Sequence, residues 1–517
     1  MRFFNTAGPI NPKDHYYIPH RLNEAFIKQL IHENKYFILH APRQSGKTTA
    51  IMMLAEELNE SGNYNALYIN VEPAQVARNA VEKGLFTILN VIKLDARRTF
   101  PNDPALNFFT SMSATQMSGN SLQECLEYLS SHFSKPFILF IDEIDSLVGD
   151  SLLSVLRQLR AGYTKRPKSF PQSICLIGVR DVRDYKVWSP EEHNFVLGGS
   201  AFNIKAESLE LHNFSQEQVR NLYGQHTQET GQKFTDEAIE YAYYLTQGQP
   251  WLINALAYQA CFRDVTDRSE SITKEVIDRA KETLILRRDT HIDVLLDRLA
   301  EPRVRNIIDA IIAGQDAPEN FPSDDISYVI DLGLVRIEEK HLVIANLIYQ
   351  EIIPRELNYI AQLTITTHPT TWYENKDGSL NMHKLLQAFT QFYRENSEIW
   401  LEKFDYKESG PHLLLMAFLQ RVINGGGKIH REYALGRKRV DLLIEWGAQR
   451  IVIELKIKRS EKTIEEGLEQ TAHYMDTNNA TEGHLIVFDR SLEKSWNDKI
   501  FNQERTMNNH TITVWGM

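Results

Sequence analysis

The sequence predicts a multidomain α/β chain: a parallel sheet wrapped by helices, a helical lid, a winged helix and a separate C-terminal α/β domain. Three observations carry this. A length of 517 residues, at roughly 100 to 200 per domain, gives about three to five folded units, more than one hydrophobic core can organise. Short apolar runs (Tyr36 to Leu39, Ala66 to Val71, Phe137 to Ile141, Ile174 to Val179) alternate with longer helical patterns, the pattern of parallel strands joined by crossover helices. Charge is also unevenly spread: residues 381–517 hold 19 basic and 19 acidic residues, whereas residues 1–380 hold 38 and 49 and so carry the whole net charge of −11.

The composition, 42% hydrophobic and 24% charged, is globular and neither fibrous nor disordered. A net negative charge argues against a protein that coats nucleic acid through overall positive charge. The start, MRFFNTAGPINPKD, has no apolar h-region, and no run approaches the roughly 18 apolar residues needed to cross a bilayer. These features predict a cytoplasmic chain with no membrane partner. Cys125, Cys175 and Cys261 lack the paired spacing of a zinc site or disulfide framework and read as buried thiols. The 17 histidines contain no HxxxH, and there is no Gly-x-Ser-x-Gly elbow, so zinc-hydrolase and serine-hydrolase chemistry have no footing.

The expected segments run as follows. Residues 1–213 form the α/β core. Residues 214–290 form the lid, with helices opening at Ser215, near Thr235, at Pro250 and near Thr273. Residues 291–362 read as two helices and a short strand pair, Leu332-Gly333-Leu334-Val335 leading to Leu342-Val343-Ile344, which looks like a winged helix. Residues 363–378, including the Thr-rich stretch His368 to Asp377, are the linker, and residues 379–517 are the last domain. Trp372, Tyr373, Phe389, Phe392, Tyr393 and Trp400 fall at helical spacings and read as core rather than as a base-stacking platform.

The strand Tyr36 to His40 runs into Ala41-Pro42-Arg43-Gln44-Ser45-Gly46-Lys47-Thr48-Thr49, which has P-loop spacing with Ala41 in place of the first glycine. Such a loop turns consecutive backbone N–H groups, here through Gln44, Ser45, Gly46 and Thr49, toward phosphate oxygens at the positive end of a helix. Lys47 would contact the β and γ phosphates, and Thr48 would supply a hydroxyl ligand to Mg²⁺. Further on, Phe137 to Ile141 ends in Asp142-Glu143, two carboxylates at the edge of the sheet where ligands of open α/β folds bind. In this Walker B arrangement Asp142 would hold magnesium through water, and Glu143 would orient or deprotonate the attacking water. The helix Asp324 to Asp331 of the winged helix is acidic and would repel nucleic-acid phosphates, so this module reads as a clamp on the ATPase rather than a DNA reader.

Together with Ile174 to Asp181 and with Gln247-Gly248-Gln249-Pro250-Trp251, these residues resemble AAA-type ATPases near the STAND and origin-recognition groups, over residues 1 to about 360. The resemblance implies a P-loop ASCE/AAA-type sheet, ATP and Mg²⁺ as cofactors, and homo-oligomers. It also implies a polar sensor near the γ-phosphate at Arg180 and a turn leaning on the nucleotide at Pro250. The alternative for Arg180 is a surface ion pair with Asp181 or Asp184.

Near the C-terminus, Arg439 to Trp446 and Ile451 to Ile457 are strand-like runs separated by Gly447-Ala448-Gln449-Arg450, which reads as a hairpin. A two-residue Gly447-Ala448 loop would pair Trp446 with Gln449 and place Asp441 opposite Glu454. Asp441, Glu454 and Lys456 would then share one face, with Val440, Leu442, Ile444, Ile453, Leu455 and Ile457 forming an apolar back. Facing carboxylates repel unless a divalent cation sits between them, and a neighbouring lysine can stabilise charge developing at phosphorus. The run from Lys428 to Arg459 holds nine basic residues against four acidic ones, a phosphate-attracting stretch.

The pattern Asp441, twelve residues, Glu454-x-Lys456 resembles the PD-(D/E)XK nuclease superfamily, and Gly467 to Tyr474 resembles the helix that follows its core strands. The resemblance covers about residues 380 to 517 and implies a restriction-endonuclease-like α/β domain. By it, Asp441 and Glu454 hold Mg²⁺, with Mn²⁺ as an alternative, Gln470 supports the metal site or a phosphate, and Tyr474 packs beside it. Gln420 stands where many relatives place a glutamate ligand. The functional expectation is an ATP-dependent or ATP-regulated nuclease acting on DNA in preference to RNA, a pairing found in mobile elements and phage defence. The competing expectation is a STAND-like signalling or scaffold ATPase whose nuclease-fold domain binds without cutting.

Overall fold

The structure is a computed structural model. It describes the chain except residues 111–118, 182–185, 190–193, 198–201, 288–296, 313–317, 358–372, 376, 404–414, 417, 420–427, 435–438, 459, 461, 490 and 492–493. Contacts divide the chain into two units, Met1–Leu295 with Pro322–Arg336, and Leu296–Phe321 with Ile337–Met517.

The first unit is built on five strands, β1 (Tyr36–His40), β2 (Asn65–Asn70), β3 (Phe137–Asp142), β4 (Ser173–Gly178) and β5 (Lys205–Glu210). They lie in the order β2-β3-β4-β1-β5, and every pair is parallel. Strands buried on both faces read as continuous apolar runs, and the alternation shows why. Phe137, Leu139 and Ile141 enter a core on one side, whereas Ile138 and Phe140 enter another core that includes Ile51, Leu54 and Leu58 of helix α1 (Lys47–Glu60). Strand β5 was not expected. Its sequence, KAESLE, is only partly buried at the sheet edge, so it carries no apolar run to announce it.

The lid consists of α2 (Gln216–Thr230), α3 (Asp236–Thr246), α4 (Pro250–Gln259) and α5 (Lys274–Arg287). The starts follow local chemistry. Ser215 forms a capping box with Gln218, Thr235 accepts from the Ala238 N–H, and Pro250 occupies the first turn of α4. Helix α6 (Ser323–Asp331) belongs to the same unit, and strands Val335–Glu338 and His341–Ile344 follow it.

In the second unit, strands β6 (Lys428–Ala434), β7 (Arg439–Trp446), β8 (Gln449–Ile457), β9 (Glu482–Phe488), β10 (Phe501–Met507) and β11 (His510–Gly516) form one sheet. The order is β6-β7-β8-β9-β11-β10. The β8/β9 and β9/β11 pairs are parallel and the others antiparallel. On one face Leu442, Ile444, Ile453 and Leu455 join Leu385, Leu386 and Phe389 of α7 (Met382–Lys403). On the other face Leu443, Val452, Leu485 and Val514 pack with Leu468, Ala472 and Met475 of α8 (Thr463–Asn478). The predicted apolar back is therefore only half of the core, because the opposite face is covered too. Residues 378–381 hold to the hairpin: Trp446 Nε1 donates to Gly378 O at 2.9 Å, and Leu380 N donates to Gln449 Oε1 at 2.7 Å. Of the expected linker, residues 363–372 and 376 lie outside the described residues. No helix among the described residues is long and apolar enough to cross a membrane.

Candidate functional site

The phosphate loop is shaped by its backbone. Gln44 has φ 57° and Gly46 φ 90°, and α1 begins at Lys47. A Cβ on Gly46 would come 2.6 Å from Arg21 Nη1, a side-chain tip that could move aside, so it is the left-handed φ that favours glycine here. Arg21 Nη1 donates to Ser45 O and Nη2 to His212 O, and its guanidinium lies 4.6 Å from the Phe214 ring centroid. Burial pushes the Arg21 pKa down to about 10.

Lys47 is 6% exposed. Its Nζ donates to Ala41 O at 2.7 Å and Pro42 O at 2.9 Å, carbonyls of its own loop. Burial lowers its pKa, and the nearby carboxylates of Glu143, Asp145 and Asp142 oppose that shift. Thr48 Oγ1 and Tyr68 OH each donate to Asp142 Oδ2 at 2.7 Å, while the Glu143 N–H donates to Asp142 Oδ1 at 2.9 Å. The P-loop and the end of β3 are thereby joined directly. Tyr68, on β2, was missed from the sequence: it belongs to no motif, and only the parallel neighbouring of β2 and β3 brings it to Asp142.

Glu143 stands at φ 57°, in the left-handed region that a non-glycine residue adopts at a cost. Burial first, then the charges of Asp145 and Asp142, raise its pKa to about 7. A carboxylate poised there suits a general base near neutral pH. The residues fit a nucleotide with Mg²⁺. Ser45 Oγ is buried with no hydrogen-bond partner among the described residues, and the Thr48 hydroxyl beside the Asp142 carboxylate is the oxygen set a hard cation takes. Gln44, Gly46, Thr49 and Pro250 line one pocket with Thr6 and Trp251. The lid turn predicted at Pro250 and the loop thus face the same space.

Arg180 does not form the surface ion pair that was its alternative reading. It is buried, and its Nε donates to Asp331 Oδ2 at 3.0 Å. Asp181 pairs instead with Lys205, and Asp184 lies outside the described residues. The surface-pair alternative fails because the arginine turns inward to an acid 151 residues away.

In the C-terminal sheet the two-residue turn sets the expected register: Trp446 pairs with Gln449, Ile444 with Ile451 and Leu442 with Ile453. Asp441 is the next residue of β7, and its side chain lies outside the described residues, as does Gln420. Glu454 is 2% exposed, and its Oε1 accepts from Lys456 Nζ at 2.7 Å. Gln470, on α8, has its Oε1 buried without a hydrogen-bond partner among the described residues, and Tyr474 is buried in the adjoining core. Among the described residues no three His, Cys, Asp or Glu side chains stand together as a metal site. The basic stretch is less free than its count suggested. Arg450 pairs with Glu445 at 2.9 Å, Lys456 with Glu454, and Lys458 with Asp489 at 3.6 Å.

A family model described as an AAA-like domain matches residues 5–354, and one described as a domain of unknown function matches residues 382–491. No curated protein matches the chain. Among solved structures it is similar to a Walker-type ATPase of Pyrococcus abyssi, with 16% identity over 68% of this chain and 99% of that one, TM-score 0.49. It is also similar to Cdc6p of Pyrobaculum aerophilum (14% identity, 68% and 97% covered, TM-score 0.36). A third is the RuvB Holliday junction branch migration motor of Thermotoga maritima (13% identity, 64% and 92% covered, TM-score 0.35).

Proposed function

The chain belongs to the AAA-like domain family, and from that premise we propose that it is an ATPase whose nucleotide state regulates a metal-dependent nuclease site in its C-terminal domain. The observation that supports the ATPase half is the 2.7 Å hydrogen bond from Thr48 to Asp142, which couples the phosphate loop to the strand carrying Glu143. In this reading the loop N–H groups of Gln44 to Thr49 hold the phosphates, and Lys47 exchanges its loop carbonyls for phosphate oxygens. Magnesium, when bound, neutralises charge building on the phosphates. Thr48 and Asp142 would hold it, Tyr68 fixes the Asp142 carboxylate, and Glu143 takes the proton of the attacking water.

For the C-terminal site, support comes from the hairpin register together with the Glu454–Lys456 contact. Asp441 and Glu454 would hold a Mg²⁺ or Mn²⁺ ion, Lys456 would stabilise charge developing at phosphorus, and Gln470 would steady the site. The substrate of this reading is DNA in preference to RNA, and the working form is a homo-oligomer in the cytoplasm. The segment bounds 1–213, 214–290, 291–362, 363–378 and 379–517 remain our proposed domain division.

A second reading, a signalling or scaffold ATPase whose C-terminal domain binds without cutting, is favoured by the pairing of Arg450, Lys456 and Lys458 with acids. Plasmid nicking with Mg²⁺ or Mn²⁺, with and without ATP, separates the two. The nuclease reading expects wild type to cut, Glu454→Ala to lose cutting while keeping ATPase, and Lys47→Ala to lose the response to ATP. Wild type that leaves DNA and RNA intact under every nucleotide condition contradicts it.

A further inference from the structure

Arg180 leaves the sheet two residues after β4, and β4 lies beside β1, with His40 paired to Gly178 and Ala41 N donating to Gly178 O at 3.3 Å. The arginine therefore starts from the strand neighbouring the one that opens into the phosphate loop. Its side chain, 7% exposed, meets one stripe of α6. Asp324, Tyr328 and Asp331 stand at helical spacings of four and three, so they share a face. Asp331 Oδ2 accepts from Nε at 3.0 Å, Asp324 Oδ1 is 3.9 Å from Nη2, and the Tyr328 ring centroid is 4.9 Å from Cζ. Nη2 is buried and makes no hydrogen bond among the described residues.

The turn that ends α6 reaches the loop itself. Gly333 has φ 75°, and a Cβ there would lie 2.8 Å from Pro42 Cβ. This short helix and the turn that closes it thus meet both Pro42 of the phosphate loop and the Arg180 guanidinium, to which the helix brings two carboxylates.

We infer that Asp331, assisted by Asp324, is a positioning residue that sets how strongly the nucleotide site discriminates ATP from ADP, by holding the Arg180 guanidinium that a γ-phosphate would draw away. This rests on the nucleotide-site reading above. A guanidinium binds carboxylate and phosphate through the same planar fork, so the two compete for it. Detaching Arg180 from a partly buried acid costs free energy, and that cost falls on the triphosphate complex alone, because a diphosphate offers no γ-phosphate to take the arginine. Weakening the hold should tighten ATP binding and leave ADP binding where it was.

The test is calorimetric titration of the full chain with ADP and with the non-hydrolysable triphosphate AMP-PNP, each with Mg²⁺. Asp331→Asn should shift the affinity ratio toward AMP-PNP by about tenfold, the scale of one charge-assisted hydrogen bond. Asp331→Glu should restore the wild-type ratio. Asp324→Asn, at a residue 38% exposed and so little threat to folding, should move the ratio the same way by less. A ratio unchanged in both Asn variants, with binding retained, overturns the inference and leaves the nucleotide site standing. Wild type that binds neither nucleotide overturns the site and the inference together.

Discussion

The two regions gather charged groups in different ways. In the first, Lys47 and Thr48 are consecutive residues at a helix start, and Asp142 and Glu143 are consecutive at a strand end. Chemistry sits at the edge of an all-parallel sheet, where loops shape it and both faces are free to be core. In the second, Glu454 and Lys456 alternate along the middle of β8, and Asp441 belongs to its antiparallel neighbour. The site proposed there lies on a face of the sheet, so it depends on register. A slip of one residue would carry Glu454 into the core now filled by Ile453 and Leu455. An edge site tolerates distant change, while a face site stands or falls with its hairpin turn.

Three substitutions, one of them read in two ways, sharpen this contrast. The largest effect is expected at the edge site: Glu143→Gln should lower ATP turnover by roughly 10² to 10⁴, the usual contribution of a positioned base, while nucleotide still raises the melting temperature. Retention of more than half the turnover would remove Glu143 from the mechanism. Lys47→Ala should weaken nucleotide affinity by at least about tenfold, read by displacement of a fluorescent nucleotide, without altering the C-terminal fold seen by limited proteolysis. Tyr68→Phe deletes one hydroxyl donor to Asp142. It should cost about 1 kcal/mol and raise the Mg²⁺ concentration needed for nucleotide binding, while binding in EDTA stays unchanged.

The smallest effect concerns pH. Because Glu143 is protonated more readily in the folded chain, with its pKa raised to about 7 from an ordinary 4.5, the folded state binds the extra proton between those values. Stability without nucleotide therefore falls as pH rises through that window. Glu143→Gln should stabilise the nucleotide-free protein more at pH about 8 than at pH about 5; an equal shift in Tm at both would contradict the carboxyl's raised pKa.

How much of this could be read beforehand follows from distance along the chain. The lid helices were legible at Ser215, Thr235 and Pro250 because caps act within three residues. The phosphate loop and the hairpin register were legible for the same reason, one as a contiguous motif and the other through a two-residue turn. Strand β5 was hidden by its polar edge sequence, and Tyr68 by lying 74 residues from Asp142. The surface-pair alternative for Arg180 went astray because proximity in sequence pointed to Asp181, whereas folding gave that acid to Lys205 and brought Asp331 to the arginine.

The proposed function requires two distinct sites in this chain, one for nucleotide and one for a divalent cation. Calorimetric titration of Mn²⁺ into Lys47→Ala and into Lys47→Ala/Glu454→Ala, both without nucleotide, tests it most directly. A binding isotherm is expected in the single variant and should vanish in the double. The same isotherm in both, or none in either, would contradict a cation site at Glu454.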